Sequence, residues 1–285
     1  MAVLRPKRVA AIHDISSFGR CALSVIIPTL SAMQVQVCPI PTAVLSTHTG
    51  GFTDIAVQEC ADFPDIAAKH LKKCGVELDC IYSGYLGTAA QTEQIIQFKT
   101  DYPDALLVVD PVLGDDGMLY SGITASHVDA MKKLTKHAGL ITPNATEASL
   151  LLGQAVSTPI CRADAKDMLK ALGNDHKTDV IITGMDMDEH GKCNLIGHMD
   201  ELYLIPCKHF SCSYPGTGDI FTSVVLGCIM DGCTLSEAAL CATEFTELCI
   251  SLTIDSSEPT RDGVFLEYAL PQLNKLNYNR EIIIL

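Results

Sequence analysis

The chain contains 285 residues, of which 48% are hydrophobic and 19% are charged. This length and composition predict a substantial core, and they exclude a largely disordered protein. The net charge of −14 argues against a nucleic-acid-binding protein, because such proteins need a basic face to displace counterions. A small phosphorylated ligand is compatible with this charge, since backbone N–H groups and a metal ion can hold phosphate locally.

The thirteen cysteines form an odd set that is spread along the chain without a Cys-x-x-Cys pair. Disulfide scaffolds usually have an even number in a short secreted chain, so we expect reduced thiols and a cytoplasmic protein. The basic N-terminal stretch contains only a short apolar run, and no later segment reaches about 18 uncharged apolar residues. We therefore expect neither a signal peptide nor a membrane span.

Short apolar runs alternate with longer helical patterns along most of the chain. Runs with little polar alternation predict buried strands over residues 9–12, 80–82, 106–109, 140–141 and 180–183. The segments between them predict helices over 22–33, 64–73, 92–100, 124–136, 146–152 and 162–172. This alternation indicates right-handed βαβ crossovers and an α/β fold whose mostly parallel sheet is covered on both faces.

The last third of the chain differs from this alternation. Residues 194–197 and 201–205 are typical of an antiparallel hairpin at the sheet edge, and two long helices are predicted over 217–230 and 236–253. The C-terminal stretch EIIIL could add a further strand, and its sequence leaves this open. Because no repeat, low-complexity tract or long linker interrupts the chain, we interpret residues 1–285 as a single domain.

Polar residues follow the predicted strands at the points where the strands end. His13 and Asp14 follow the first strand, the segment 83–87 follows the second, and Asp110 follows the third. The segments 142–144 and 183–184 follow the next two. In open α/β sheets ligands bind beyond the carboxyl ends of the strands, so this pattern indicates an enzyme or a small-molecule binder.

The stretch Gly-Thr-Gly-Asp comes directly before the long apolar helix that is predicted from 217 onward. Gly216 and Gly218 allow a compact turn whose N–H groups, with those of Thr217 and the helix N-terminus, can hold an oxyanion. Asp219 could then accept a proton from a hydroxyl that attacks phosphorus. Glycine and aspartate are also common at ordinary helix starts, and the spacing alone does not decide between the two interpretations.

The other common phosphate-binding motifs are missing. The chain has no GxxxxGK[ST] motif, and the nearest stretch, at 184–192, is acidic and wrongly spaced. Position 221 is Phe, so the turn at 216 is not a GxGxxG motif either. The P-loop and Rossmann dinucleotide interpretations therefore lose support.

Two further segments carry oxygen ligands. Asp110 follows a buried strand and could face a nucleotide or its metal ion, whereas Asp115 and Asp116 are interpreted as an acidic turn. In TPNATE, Thr146 could simply cap a helix and leave Glu147 in the first turn. Alternatively, Asn144 and Glu147 supply oxygens to Mg²⁺ through water, as this ion prefers.

Two N-terminal segments combine small hydroxyl residues, histidine and glycine, which suits a polar pocket for a small ring. They cover residues 13–20 and 46–52. An isolated histidine is more often a structural hydrogen-bonding residue, and His13 and His48 lack the helical spacing of a zinc site. Cys212 has no adjacent base that would mark it as a nucleophile.

Taken in order, these segments resemble the ribokinase-like superfamily and, within it, the pyridoxal (vitamin B6) kinase family. The resemblance covers about residues 8–255 and is carried by SGYLG at 83–87, DPVLG at 110–114, TPNATE at 142–147 and GTGD at 216–219. The segment STHTGG at 46–51 is similar to the substrate loop of this family. The implied fold is a three-layer α/β/α domain with a mostly parallel central sheet, and such kinases are commonly homodimers.

This resemblance implies transfer of the γ-phosphoryl group of ATP, with Mg²⁺, to the 5′-hydroxyl of pyridoxal, pyridoxine or pyridoxamine. It implies that Asp219 is the base, that the N–H groups of Gly216, Thr217 and Gly218 bind the anion, and that Asp110 and Glu147 act at the metal. The nucleotide side would further include Thr142, Asn144 and Thr183. The vitamin side would include Asp14, Thr47, His48, Thr49, Gly50 and Tyr85. The open alternatives are a kinase for hydroxymethylpyrimidine or a sugar-like alcohol, and a non-catalytic B6-binding protein.

Two positions depart from the family pattern, and a third distinguishes its substrate classes. Asp14 stands where many pyridoxal kinases have Ser, and a carboxylate there favours a cationic or N–H-bearing partner. Thr183 stands where some relatives have Lys, so this position lacks a positive charge. Asp219 stands where hydroxymethylpyrimidine kinases often have Cys, which favours a B6 substrate.

Overall fold

The structure is a computed structural model that describes residues 5–154, 158–174, 177–275 and 280–285. Its centre is a ten-stranded sheet with the order β12-β11-β10-β9-β8-β5-β4-β1-β2-β3. These strands are β1 (Arg8–Phe18), β2 (Gln36–Thr47), β3 (Val57–Glu59), β4 (Cys80–Ser83), β5 (Leu106–Val109), β8 (Leu140–Ile141), β9 (Asp179–Met187), β10 (Gly191–His198), β11 (Glu201–Pro206) and β12 (Ile283–Ile284). A separate small hairpin consists of β6 (Gly114–Asp115) and β7 (Met118–Leu119).

The six central strands β2, β1, β4, β5, β8 and β9 are parallel. The strands at both ends of the sheet, β3 on one side and β10, β11 and β12 on the other, pair antiparallel. The predicted mostly parallel α/β fold is therefore confirmed. The parallel arrangement brings the carboxyl ends of the central strands to one edge, where we expect the site to lie.

The helices cover both faces of the sheet. They are α1 (Leu23–Ala32), α2 (Phe63–Lys73), α3 (Ala90–Asp101), α4 (Ala125–Thr135), α5 (Ala145–Leu152), α6 (Arg162–Leu172), α7 (Thr217–Asp231), α8 (Leu235–Thr253) and α9 (Leu266–Ala269). Alternate residues of β1 belong to two different cores: Val9 and Ala11 pack with the α1, α7 and α8 side, whereas Ala10 and Ile12 pack with the opposite layer. Burial on both faces explains why the central strands have no polar alternation.

The sequence analysis missed β2, in which Pro39 and Pro41 interrupt an otherwise strand-like segment, and it also missed the three-residue β3. In the fold, β2 runs parallel to β1 over its whole length, and β3 pairs only with residues Ala43 to Leu45. Both prolines therefore precede the part of β2 that has a second partner, which makes their missing N–H groups tolerable.

The antiparallel hairpin predicted over 194–205 is confirmed as β10 and β11. The C-terminal stretch does add a strand, since Ile283 and Ile284 pair with β11. Within the described ranges, no helix has the length and apolar character that crossing a bilayer requires.

Candidate active site

Three buried carboxylates and a fourth that is largely buried converge at the carboxyl edge of the sheet. Asp14 lies in β1, where the pairing register with β2 shifts, and Asp110 follows β5. Glu147 and Asp219 lie in the first turns of α5 and α7. The charge of Asp219 raises the pKa of both Asp14 and Asp110, and the charge of Glu147 also raises that of Asp110. The sequence placed these residues after separate strands, and the fold brings them into one electrostatic cluster.

Asp219 is held by the backbone of a distant segment. Its Oδ2 accepts a hydrogen bond from the Ala22 N–H at 2.8 Å, and its side chain is only 14% exposed. Burial raises the pKa of Asp219 to about 6, although the Ala22 N–H acts in the opposite direction. A carboxylate with this pKa can accept a proton near neutral pH and release it again.

The turn before Asp219 requires glycine. Gly216 has φ of 80°, and a Cβ there would lie 2.0 Å from the Arg20 carbonyl oxygen. The Thr217 hydroxyl donates to the Tyr214 carbonyl at 3.0 Å. The N-cap residue is Gly216, and no side chain caps the start of α7. The predicted glycine turn leading into a helix is confirmed, whereas anion binding at its N–H groups stays a prediction.

Asp110 lies next to this turn. A Cβ on Gly218 would be 3.9 Å from the Asp110 Oδ2 atom. Burial, then Glu147 and Asp219, raise the pKa of Asp110 well above its ordinary value, and a hydrogen bond from the Val112 N–H opposes this rise. A buried carboxylate among like charges is a site that attracts a cation.

Thr142 is tied to the same helix. The Thr222 hydroxyl of α7 donates to the Thr142 hydroxyl at 2.9 Å, and both side chains are buried. This bond links the end of β8 to the helix that carries Asp219.

Glu147 completes a capping box at the start of α5. Its Oε2 accepts the Asn144 N–H and its Oε1 accepts the Leu113 N–H, both at 2.9 Å, and Asn144 accepts the Glu147 N–H in return. The expected cap at Thr146 is wrong, because the helix begins one residue earlier and Asn144 is the N-cap. Thr146 instead accepts the Gly117 N–H. Burial raises the pKa of Glu147 to about 7 despite these donors.

A cavity of about 1180 Å³ adjoins the turn at 216–218. Its lining includes Asn144 and Thr183 as well as Thr217 and Gly218. Thr183 lies beside Asn144 through a parallel bridge, and its N–H donates to the Pro143 carbonyl. The cavity has the place and size for a nucleotide next to the carboxylates.

Other lining residues were not predicted as site residues. Asn194 accepts the Gly184 N–H at 3.0 Å and donates to Thr243 at 2.8 Å, so it fixes the wall between β9 and α8. The lining also includes Lys192, Lys208, Phe210, Cys212 and Tyr214. No local motif marks these positions, because they reach the cavity from the antiparallel end of the sheet.

Asp115 ends strand β6 and Asp116 begins the hairpin turn that follows it, so the acidic turn interpreted from the sequence is present. Asp116 and Gly117 both have positive φ, at 48° and 77°, which is the conformation of a two-residue type I′ hairpin turn. The turn lines the same cavity.

The predicted vitamin-binding residues fall into two groups. Burial raises the pKa of Tyr85, and the charge of the nearby Asp14 raises it further. Asp14 itself is buried, accepts a long 3.5 Å hydrogen bond from Ser16, and has a pKa raised to about 7 by burial and by Asp219. Tyr85 therefore lies near the Asp14 end of the carboxylate cluster.

The second group belongs to the loop that follows β2. His48 Nδ1 accepts the Gly50 N–H at 3.1 Å, so the ring proton lies on Nε2, which donates to the Arg261 carbonyl at 2.6 Å. Both ring nitrogens are thus used within the protein. Thr47 is half-buried, whereas Thr49 and Gly50 are exposed. Their contact with a ligand stays a prediction.

This loop is connected to the Gly-Thr-Gly-Asp turn through Gly19 and Arg20. A Cβ on Gly19 would lie 2.4 Å from His48 Cδ2, and the Arg20 N–H donates to the Asp262 carbonyl at 3.3 Å. The Arg20 carbonyl is the group that adjoins Gly216. These contacts join the loop to the turn in the folded protein.

His13 is the site residue that the sequence analysis undervalued. It is fully buried, and neither ring nitrogen has a hydrogen-bond partner among the described residues. Its Nδ1 lies 3.7 Å from Asp219 Oδ1, and burial lowers its pKa to about 3. The sequence signal that could have identified His13 was its position beside Asp14, directly after the first predicted strand.

Among the described residues, no group of three or more His, Cys, Asp or Glu side chains has the arrangement of a metal site. The assignment of Asp110 and Glu147 to a metal therefore stays a prediction.

Comparison with known proteins defines the class to which this site belongs. Residues 26–261 match the family model described as phosphomethylpyrimidine kinase. Because this match covers most of the chain, the protein belongs to that family.

Within the family, the similar proteins include pyridoxal kinases. A Bacteroides thetaiotaomicron structure, provisionally named a phosphomethylpyrimidine kinase and containing pyridoxal, is 37% identical with a TM-score of 0.91, covering 98% of this chain and 100% of that one. The pyridoxal kinase of Lactobacillus plantarum is 30% identical with a TM-score of 0.85, covering 95% and 98%. A provisionally named pyridoxal kinase of Schizosaccharomyces pombe is 28% identical over 77% of this chain and 67% of that protein. The resemblance inferred from the sequence is confirmed.

Proposed function

We propose that this protein is a kinase that transfers the γ-phosphoryl group of ATP to the 5′-hydroxyl of a B6 vitamer. The observation that carries this proposal is Asp219, a buried carboxylate at an uncapped helix N-terminus, beside Asp110 and a cavity of nucleotide size. The sequence relationship to the pyridoxal kinases supports the choice of substrate.

In this proposal Asp219 is the general base. The 5′-hydroxyl loses its proton to Asp219 while its oxygen forms a bond to the γ-phosphorus, and the bond between that phosphorus and the β–γ bridging oxygen breaks. The electron pair of the broken bond leaves with ADP. Oδ2 already accepts the Ala22 N–H, and each carboxylate oxygen keeps a lone pair that can receive the proton.

The N–H groups of residues 216–218 stabilise the negative charge on the transferring phosphoryl group. They precede a helix of 15 residues whose dipole adds positive potential at the same place. Phosphoryl transfer depends mainly on such positioning and charge stabilisation.

The residues present fit a bound Mg²⁺ ion. Asp110 and Glu147 are hard oxygen donors, and the mutual repulsion that raises the pKa of Asp110 would be relieved by a cation. Each oxygen of Glu147 already accepts one backbone N–H, so contact through water suits it better than direct coordination. When bound, the ion neutralises charge on the ATP phosphates.

The proposal has further parts that extend beyond the residues of the site. It treats the chain as one catalytic domain that acts as a homodimer, as the family resemblance implies, and it places the protein in the cytoplasm because of its cysteine usage. Thr142, Asn144 and Thr183 serve the nucleotide, and Asp14, Thr47, His48, Thr49, Gly50 and Tyr85 serve the vitamin.

A second candidate substrate is hydroxymethylpyrimidine, which the description of the matching family favours. An ADP-release assay with pyridoxal, pyridoxine, pyridoxamine and hydroxymethylpyrimidine separates the two. We expect the highest kcat/KM for a B6 vitamer. A higher value for hydroxymethylpyrimidine would overturn the substrate assignment, and binding of pyridoxal without ADP release would indicate a non-catalytic binding protein.

The role of Asp219 is tested by Asp219→Asn, with Asp231→Asn at the exposed C-terminal end of the same helix as the matched control. We expect kcat to fall by roughly 10²–10⁴-fold in the first variant, the usual contribution of a general base. ATP affinity should change little, and the variant should keep the fold. Near-normal turnover of Asp219→Asn would sink this assignment.

A further inference from the structure

We propose that His13, as the neutral tautomer with its proton on Nδ1, is a positioning residue for Asp219. The inference rests on the proposed kinase activity and adds a second donor to the general base. The observation behind it is the juxtaposition of a fully buried, unpartnered imidazole and the carboxylate that accepts the substrate proton, with 3.7 Å between Nδ1 and Oδ1.

The His13 ring is aimed and held by its surroundings. The pairing register between β1 and β2 shifts between His13 and Ile15, and such irregularities often redirect a side chain next to a functional site. The ring packs edge-on against Tyr82, with 4.3 Å between the ring centroids. A Cβ on Gly84 would lie 1.9 Å from His13 Cε1. The absence of a side chain at 84 therefore makes room for this ring.

Two contacts then define the plane of the Asp219 carboxylate. The Ala22 N–H binds Oδ2 at 2.8 Å, and His13 Nδ1 faces Oδ1 at 3.7 Å. The second distance lies outside hydrogen-bonding range, and a movement of roughly 0.5–1 Å would close it. Catalytic hydrogen bonds are often long in the free enzyme and shorten when substrate binds.

Electrostatics selects the tautomer. Because burial lowers the pKa of His13 to about 3, the ring is neutral and carries one N–H. A proton on Nε2 would turn the Nδ1 lone pair toward the Asp219 carboxylate, which is repulsive. A proton on Nδ1 makes the same contact attractive. No described residue makes a hydrogen bond to either ring nitrogen. The other tautomer therefore gains no hydrogen bond that would favour it.

His13 keeps its own proton during the reaction. It orients Oδ1 and stabilises the carboxylate anion, while the substrate proton moves onto another lone pair of Oδ1. The imidazole is thus not a proton relay.

Two variants separate a positioned donor from a space-filling side chain. His13→Asn places an amide nitrogen close to the former Nδ1, whereas His13→Gln places it close to the former Nε2. We expect kcat to fall by roughly 10–100-fold in His13→Gln, the usual effect of losing a hydrogen bond to a charged group. KM values for ATP and vitamer should stay nearly constant, and His13→Asn should recover most of kcat. Equal losses in both variants, or normal kcat in His13→Gln, would overturn the proposal.

A measurement without turnover tests the tautomer itself. In ¹⁵N spectra of the full-length protein, the ring signals that disappear in His13→Asn belong to His13. We expect them to show a protonated Nδ1 and an unprotonated Nε2. The opposite tautomer contradicts the positioning role even in an active kinase. The expected tautomer in a protein that phosphorylates none of the tested compounds would instead contradict the proposed function.

Discussion

The carboxylate cluster and the loop over residues 47–52 hold their polar groups in different ways. In the cluster, Asp219 and Glu147 are buried and accept backbone N–H groups from neighbouring segments. In the loop, Thr49 and Gly50 are exposed, and the contacts come from the side chains of His48 and Arg261. Groups for the chemical step thus lie on rigid elements, whereas the loop can change with little cost to the core. The four predictions below probe this contrast.

The largest effect is expected from Gly216→Ala, because the new Cβ would meet the Arg20 carbonyl at 2.0 Å and displace the anion-binding turn. We expect kcat/KM to fall by about 100-fold or more, as for the loss of a stabilising donor. Gly232 at the other end of α7 is the matched control, since its φ is also positive, at 97°, and its Cβ meets nothing within 4 Å. Gly232→Ala should lose about 1 kcal/mol of stability and keep its activity. Equal activities in the two variants would contradict this.

The second effect is a loss of stability at higher pH in the absence of ligands. Burial raises the pKa of Asp219 from 3.8 to about 6 and that of Glu147 from 4.5 to about 7. The folded state therefore binds more protons than the unfolded state between about pH 4 and pH 7. Each of these carboxyl groups therefore makes its full contribution to the free energy of unfolding below its unfolded pKa. This contribution is lost as pH rises through the folded pKa.

From its pKa shift, Asp219 alone should account for about 3 kcal/mol of this loss over the whole range, of which about 1.4 kcal/mol falls between pH 5 and pH 8. Denaturant unfolding of wild type and Asp219→Asn at pH 5 and pH 8 measures the difference, because the variant lacks the titrating group. The expected result is a flatter pH dependence in the variant. If the free energy of unfolding depends on pH equally in both proteins, the burial of Asp219 does not contribute to that dependence.

The third prediction concerns the two capping boxes that end in a glutamate. Glu147→Gln leaves a buried N–H without its acceptor and should lower the free energy of unfolding by about 1–3 kcal/mol. Glu237 makes the same box on α8 with Thr234, but on the exposed surface, so Glu237→Gln should have a much smaller effect. Chemical denaturation of both variants gives the comparison. Comparable losses would mean that burial does not distinguish the two glutamates.

The smallest effect belongs to the loop. His48→Phe keeps an aromatic ring but removes the bonds to the Gly50 N–H and the Arg261 carbonyl. We expect KM for the vitamer to rise about fivefold, the equivalent of one ordinary hydrogen bond, with kcat nearly unchanged. His70→Phe on the exposed face of α2 is the control. A large loss of kcat would place this loop with the chemical step rather than with substrate binding.

The sequence predicted the α/β alternation and the helix after Gly-Thr-Gly-Asp because both depend on local signals. Apolar runs of strand length and glycines before a helix are visible without any tertiary contact. The β2 strand was missed for the same reason, since Pro39 and Pro41 are local signals against a strand. Only its long pairing with β1 shows why the prolines are tolerated.

The sequence by itself also determined which carboxylates could act, since each follows a strand or starts a helix. Tertiary structure decided how they act. The bond from Ala22 to Asp219 spans 197 residues, and that from Leu113 to Glu147 spans 34. The pKa values of the carboxylates and the place of His13 beside Asp219 depend on burial and on such distant neighbours. These quantities arise only when the segments meet, because desolvation and charge–charge repulsion are properties of the packed site and not of any one motif.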